Sequence, residues 1–127
     1  MLYYTFRKGQ QMILISLNRD QQNIASRFRK ADYFALIEDK HTQIVKNLHK
    51  TSKSDDFFEY FNQLGITTIY IKQLGYKTYI KLEALNIKVY FIQGVEEYKK
   101  IKNSNLLLIN KSNAKELCSL GHHKKIN

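Results

Sequence analysis

The stretch from residue 65 to residue 91, GITTIYIKQLGYKTYIKLEALNIKVYF, decides the fold because it contains a strand, a helix and a second strand. Residues 66–71 form a β-branched and aromatic run, which is typical of a buried strand. Residues 78–85 place apolar side chains three and four positions apart, which predicts a helix with one apolar face. Asn86 follows where a helix end favours a residue that tolerates the left-handed conformation. Residues 87–92 predict a second strand, parallel to the first.

The turn KQLG at residues 72–75 lies past the carboxyl end of the first strand and at the start of the helix. Open α/β sheets bind ligands at this position, where free N–H groups of the helix favour anions. Leu74 and Gly75 are therefore candidate ligand-binding residues. The alternative is that the glycine serves only the tight turn.

The rest of the chain predicts elements on either side of this unit. The continuous apolar run at residues 12–17 suits a strand buried on both faces, and residues 33–37 and 43–48 predict a hairpin. We therefore predict an α/β fold in which a mixed five-stranded sheet has its first strand at the centre and helices on its faces. Two further helices are predicted, one near residues 55–64 that ends at Gly65 and one whose first part is residues 94–102. Residues 106–109 are predicted to form either a last strand or an extended packing segment.

Composition limits the class of protein. With 127 residues, 43% of them hydrophobic, one compact soluble domain is expected. No apolar run approaches the ~18 residues that span a bilayer, and the opening residues MLYYTFRKGQQ lack the apolar segment of a secretory signal. The single cysteine, Cys118, excludes an internal disulfide and fits a reducing compartment. A cytoplasmic location without a membrane partner is therefore expected.

The domain is predicted to cover residues 12–110, preceded by an extension or added edge strand at residues 1–11 and followed by a basic tail at residues 111–127. Within the tail, Cys118, His122 and His123 form a candidate site for iron, zinc or copper, because thiolate and imidazole groups suit these metals. Their spacing matches no recognised motif. An unordered tail is the alternative interpretation.

Several short motifs, in order, resemble the dinitrogenase iron–molybdenum cofactor biosynthesis family, the domain found in NifX, NafY and the C-terminal part of NifB. After the apolar first strand comes FRKADYF at residues 28–34, where the family has phenylalanine-glycine-arginine-alanine and then a tyrosine-phenylalanine strand. LGI at residues 64–66, LG at residues 74–75 and NIKVY at residues 86–90 follow. The resemblance covers residues 12–109, which is most of the chain.

The resemblance implies a ribonuclease-H-like three-layer fold that binds an iron–sulfur or iron–molybdenum type cluster, with cofactor-assembly proteins as partners. Carried over by position, the cofactor-side segments are Arg27–Ala31, the segment around His49, and Leu74-Gly75. Arg27, Arg29 and Lys30 would hold the anionic cluster by charge, and His49 would bind it through neutral imidazole. A solvated basic loop and an exposed histidine are the alternatives. Arg29 also stands at the family's loop glycine, which adds bulk where a cluster approaches.

No enzymatic function is expected. Ribonuclease H chemistry needs carboxylates on central strands to hold two metal ions, and residues 12–17 carry none. The first hypothesis is therefore a non-enzymatic binding or carrier domain for a metal cluster. The net charge of +10 also permits a basic nucleic-acid-binding module that stacks tyrosines on bases. A structural or regulatory protein that has lost the ligand is the third hypothesis.

Overall fold

A computed structural model describes residues 11–50 and 56–118, which form an α/β domain built on one open sheet of six strands. The strand order across the sheet is β3-β2-β1-β4-β5-β6. The strands are β1 (Met12–Leu17), β2 (Tyr33–Glu38), β3 (His41–Lys46), β4 (Thr68–Ile71), β5 (Lys88–Ile92) and β6 (Leu106–Ile109). The helices are α1 (Asp56–Leu64), α2 (Tyr76–Ala84), two 3-10 turns at Tyr98–Lys100 and Asn103–Asn105, and a turn of α-helix at residues 114–118.

The predicted arrangement of the sheet is confirmed. β1 lies at the centre, antiparallel to β2 and parallel to β4, and β4 is parallel to β5 across α2. β2 and β3 form the predicted hairpin. The sheet has six strands and not the predicted five, because the apolar segment at residues 106–109 pairs antiparallel with β5. Sequence reasoning had left this segment open between a strand and a packing segment.

Two predicted chain reversals also agree with the structure. Gly65 has a φ of 74° at the end of α1, and Asn86 has a φ of 62° after α2. Both angles lie in the left-handed region, where glycine has no Cβ penalty and asparagine is tolerated. Each reversal returns the chain directly to the sheet, at β4 and at β5 respectively.

The main core lies between one face of the sheet and the helices. Leu14, Phe34 and Ile69 project from the sheet, and Phe57 and Phe61 of α1 meet them, all fully buried. The spacing of the α1 phenylalanines puts them on one side of the helix, so they enter the core together. Phe57 and Phe61 therefore lie on the core face of α1.

The predicted helix at residues 94–102 is wrong, because this segment pairs with the loop that follows β1. Ile24 N–H donates to the carbonyl of Glu96 at 2.7 Å, and Tyr98 N–H donates to the carbonyl of Gln22 at 3.0 Å. These long-range bonds hold the backbone extended up to Glu97, and only a 3-10 turn follows. In this segment Glu96 and Glu97 precede the lysines, an order that stabilises a helix through its dipole. That effect is weaker than the long-range backbone pairing.

The expected three-layer arrangement does not appear in the described part of the chain. The core beneath α1 and α2 also includes Ala114 and Cys118, so the described α-helices all pack on one face. A second, smaller core on the other face is formed by strand residues together with Ile24 and Tyr98 from loops. Segments 18–25 and 93–105 thus cover part of this face without an α-helix.

The predicted domain boundary at residue 110 is too early. Ala114 and Cys118 are each 1% exposed and belong to the main core. An asparagine-based turn precedes them, in which Asn110 Oδ1 accepts a hydrogen bond from Ser112 N–H at 2.9 Å. The domain therefore continues to at least residue 118.

None of the helices in the described part of the chain has the length and apolar character needed to cross a membrane.

We predict that Gly65→Ala lowers the free energy of unfolding by about 1–2 kcal/mol, because an L side chain at positive φ strains the backbone. No atom lies within 4 Å of a Cβ built at Gly65, so the loss would come from the backbone and not from a clash. Chemical denaturation followed by circular dichroism measures it. Gly65→Asn is the matched control and should lose less, and equal losses in the two variants would contradict the strain argument.

Candidate functional site

The topology brings the predicted site segments to one end of the sheet. β1, β3 and β4 run in the same direction, so their carboxyl ends share one end of the sheet, called here the carboxyl end. Arg27–Ala31 follows β1, His49 follows β3, and Leu74-Gly75 follows β4. Sequence reasoning had placed these segments together only through the family resemblance.

Phe28 anchors the first of these loops. Its ring is buried and lies 5.2 Å from the ring centroid of Phe57 and 5.5 Å from that of Phe61, both in α1. The hydroxyl of Ser16, at the end of β1, donates to the carbonyl oxygen of Phe28 at 3.4 Å. The basic residues on either side of Phe28 are therefore carried by a fixed segment of backbone.

The three predicted cations of this loop have different surroundings. The guanidinium carbon of Arg29 lies 4.9 Å from the ring centroid of Phe57 and 5.4 Å from that of Phe58, which is cation–π geometry. Arg29 is partly exposed, whereas Arg27 and Lys30 are exposed. The side chain of Arg29 therefore packs against α1.

Asn47 joins this loop to the His49 segment, a role that sequence reasoning missed. Its side-chain amide donates to the carbonyls of Arg29 at 3.0 Å and Ala31 at 2.8 Å, and its carbonyl oxygen accepts from His49 N–H at 2.9 Å. Asn47 is 5% exposed, so these bonds are made away from water. The only sequence signal was an asparagine directly after a predicted strand.

His49 lies against α1 at the other side of Asn47. Its ring centroid is 4.9 Å from that of Tyr60, with the planes tilted by 45°. The residue is partly exposed, so the imidazole is accessible to a ligand. Arg29 and His49 thus both pack on α1, and both adjoin the Asn47 hydrogen bonds.

The acidic residues of these loops are already engaged. Asp32 forms an ion pair with Lys50, and the hydrogen bond from Lys50 lowers the pKa of the Asp32 carboxyl below its usual value. The backbone N–H groups of Asn23 and Gln22 hydrogen-bond to Asp20 and lower its pKa in the same way. Both carboxylates remain ionised at neutral pH and are occupied by donors from this domain.

The Leu74-Gly75 turn supplies shape and no polar side chain. Leu74 is 7% exposed and belongs to the main core. Gly75 precedes α2 with φ −72° and ψ 149°, an extended conformation open to any residue. The tight-turn explanation for this glycine is therefore wrong.

Of the predicted tail site, only Cys118 lies within the described residues. The chain leaves β6 beside the start of β5, at the opposite end of the sheet from His49. Cys118 is buried in the main core, and this burial raises the pKa of its thiol. His122 and His123 lie outside the described residues. Residues 11–50 and 56–118 contain no group of three histidine, cysteine, aspartate or glutamate side chains placed to hold a metal ion.

The side chains at the carboxyl end can therefore hold an anion better than a bare metal ion. They offer cations, one accessible imidazole and a rigid backbone, but no exposed thiolate. This set of side chains suits an anionic ligand held by charge-assisted contacts.

This chain is similar to known proteins in its fold. The sequence matches no family profile and no curated protein. Among solved structures, the apo form of the orange protein from Desulfovibrio gigas superimposes with a TM-score of 0.65 at 16% identity, over 78% of this chain and 92% of that one.

Two further structures bear nitrogenase-related names. A protein provisionally named a dinitrogenase, from Methanocaldococcus jannaschii, has a TM-score of 0.60 at 19% identity over 80% of this chain and 96% of that one. A protein provisionally named NifB, from Thermotoga, has a TM-score of 0.53 at 15% identity over 88% of each chain. At these identities the similarities show a shared fold.

We predict that Asn47→Ala lowers the free energy of unfolding by about 2–3 kcal/mol, because buried carbonyls and one N–H group would lose their partner. Denaturant titration measures the loss. Asn62→Ala, at an exposed position of α1, is the control and should stay within about 0.5 kcal/mol of the wild type. A loss at Asn47 no larger than that at Asn62 would show that the two loops are not held by this side chain.

Cys118 should react with a maleimide at least about tenfold more slowly in the native protein than in denaturant, because burial limits both access and the thiolate fraction. Mass spectrometry of timed samples measures the rate. A free thiol peptide in the two solvents corrects for the direct effect of denaturant. Equal corrected rates would place Cys118 at the surface.

Proposed function

We propose that this protein is a non-enzymatic binding or carrier domain for an anionic iron–sulfur or iron–molybdenum type cluster. The cargo would lie at the carboxyl end of the sheet, between the Arg27–Lys30 loop and His49. The observation that carries the proposal is the set of hydrogen bonds through which Asn47 joins these two segments. A site assembled from two loops needs such a connection to keep its charges and its ligand at a fixed separation.

Electrostatics support an anionic cargo. Arg27 and Lys30 are exposed, and Arg29 is oriented by Phe57 and Phe58. The carboxylate of Asp32 is paired with Lys50, so this ion pair adds no net charge beside the three cations. A cluster with negative charge would therefore meet a surface whose cations exceed its available carboxylates.

The shared fold supports the same cargo class. Two of the structures that share this fold bear nitrogenase-related names, which supports a cargo of this class. The strand order β3-β2-β1-β4-β5 supports a ribonuclease-H-like assignment. β1 carries no carboxylate for a two-metal nuclease site. We further propose that the domain delivers its cluster to assembly proteins.

Anaerobic reconstitution with iron and sulfide, with and without molybdate, tests the proposal. After desalting, the wild type should retain iron and sulfide and show visible charge-transfer absorption. His49→Ala should lose most of the bound iron, because the imidazole is the accessible ligand. Lys30→Gln should retain less cluster as salt increases, because its contribution is electrostatic.

Matched variants give the controls. His41→Ala and Lys40→Gln make the same changes in the exposed hairpin turn at the other end of the sheet, and they should load like the wild type. Cys118→Ala removes the thiol with little change in volume and should also load normally. A wild type that holds no iron, or loss of iron in His41→Ala equal to that in His49→Ala, would refute the site. Loss confined to Cys118→Ala would move the ligand to the buried thiol.

A further inference from the structure

The sheet face opposite α1 and α2 carries chemistry that the cluster site does not use. We call it the open face; it consists of the odd-numbered residues of β1 and β2 and the even-numbered residues of β3 to β6, as the strand register requires. In the described chain its cover is the loop segments at residues 18–25 and 93–105, which lie toward the carboxyl end. At the amino end, Thr68 is 1% exposed, and its hydroxyl accepts a hydrogen bond from the side-chain amide of Gln11 at 3.3 Å. The part of this face that stays partly exposed on β4 and β5 lies at Tyr70, Lys88 and Tyr90.

Two tyrosines stand side by side at the middle of the open face. Tyr70 of β4 and Tyr90 of β5 are register partners, with ring centroids 5.6 Å apart and planes at 84°. Both side chains are partly exposed. Burial, and secondarily Tyr90, raises the pKa of the Tyr70 phenol. Because the two rings are nearly perpendicular, they do not form one flat surface, and a base would stack on a single ring of the pair.

The charged strand residues of the open face, Lys46 and Lys88, are of one sign. Lys88 lies two residues before Tyr90 on β5, so it projects from the same face about 6.6 Å along the strand. Lys72 lies two residues after Tyr70 and pairs with Glu96 at 2.5 Å. No strand residue of this face is acidic. The surface formed by Tyr70, Tyr90 and Lys88 therefore complements a ligand that has both flat rings and negative charge.

We propose that the open face binds single-stranded nucleic acid, with a base stacked on Tyr90 beside Tyr70 and a backbone phosphate near Lys88. Unpaired bases expose the flat surfaces that a duplex hides, and aromatic side chains on a sheet are a known mode of recognition for them. A second copy of this chain fits less well, because a two-fold contact across Tyr90 would bring Lys88 near its own copy. The proposal does not rest on the cluster site.

Fluorescence anisotropy of a fluorescein-labelled oligouridine and an oligothymidine, titrated with the whole protein at several salt concentrations, tests this. Tyr90→Leu should weaken binding by about tenfold, since one base would lose its stacking partner. Tyr90→Phe keeps the ring and should bind within about twofold of the wild type, because stacking does not need the hydroxyl. Tyr76→Leu, on α2 at the other face, should leave the affinity unchanged.

Salt dependence tests the phosphate contact separately. Lys88→Gln should reduce the slope of log K against log salt by about 0.7, the value for one phosphate contact on a single strand. Lys77→Gln removes the same charge from an exposed position of α2 and should leave the slope unchanged. Circular dichroism of each variant separates lost binding from lost folding.

Four results would overturn the proposal. The first is a wild type that binds neither oligonucleotide at low salt. The second is equal affinity of Tyr90→Leu and Tyr90→Phe, and the third is an equal loss of slope in Lys77→Gln and Lys88→Gln. The fourth is self-association in sedimentation that Tyr90→Leu abolishes, which would make the open face a contact between copies of the chain.

Discussion

The packing of four phenylalanines beneath the carboxyl end of the sheet is the interaction on which the rest of the domain depends. Phe28 belongs to the loop after β1, Phe34 to β2, and Phe57 and Phe61 to α1, with ring centroids 4.6–6.2 Å apart. Each such pair contributes about 0.5–1.5 kcal/mol beyond the burial of its area. Because the cluster joins a loop, the sheet and a helix, it fixes where the basic loop lies.

This cluster also explains why the two faces of the sheet differ. The large aromatic side chains of α1 need a deep core, and they find it with α2 and the residue 114–118 turn on one face. On the other face, segments 18–25 and 93–105 pair with one another through backbone hydrogen bonds and bury few side chains. The result is a sheet that presents one strongly packed face and one that is only partly covered.

The sequence predicted what depends on local spacing and failed where distant segments decide. Apolar periodicity placed the phenylalanines of α1 on one side, and Gly65 and Asn86 marked the left-handed reversals. In contrast, residues 94–102 have an acidic-to-basic order suited to a helix, yet they pair with residues 22–24, a contact that no local pattern encodes.

The candidate site was predictable to a similar extent. The positions of Arg27–Lys30 and His49 at one end of the sheet follow from the strand order, which the sequence indicated. Asn47 was not predictable, because its role depends on carbonyls of a loop sixteen and eighteen positions away. Cys118 was misjudged because a short polar segment before it concealed a return to the core.

The basic loop combines two kinds of cation, and the difference bears on how an anion would be held. Arg29 is already oriented by the rings of Phe57 and Phe58, so binding would cost little further side-chain entropy. Arg27 and Lys30 are exposed and would lose more freedom on contact, but their charges act over about a Debye length. Attraction would therefore come from the exposed pair and orientation from Arg29. If an anion binds here, Arg29 would hold it at the rim formed with α1, and not against the backbone of the loop.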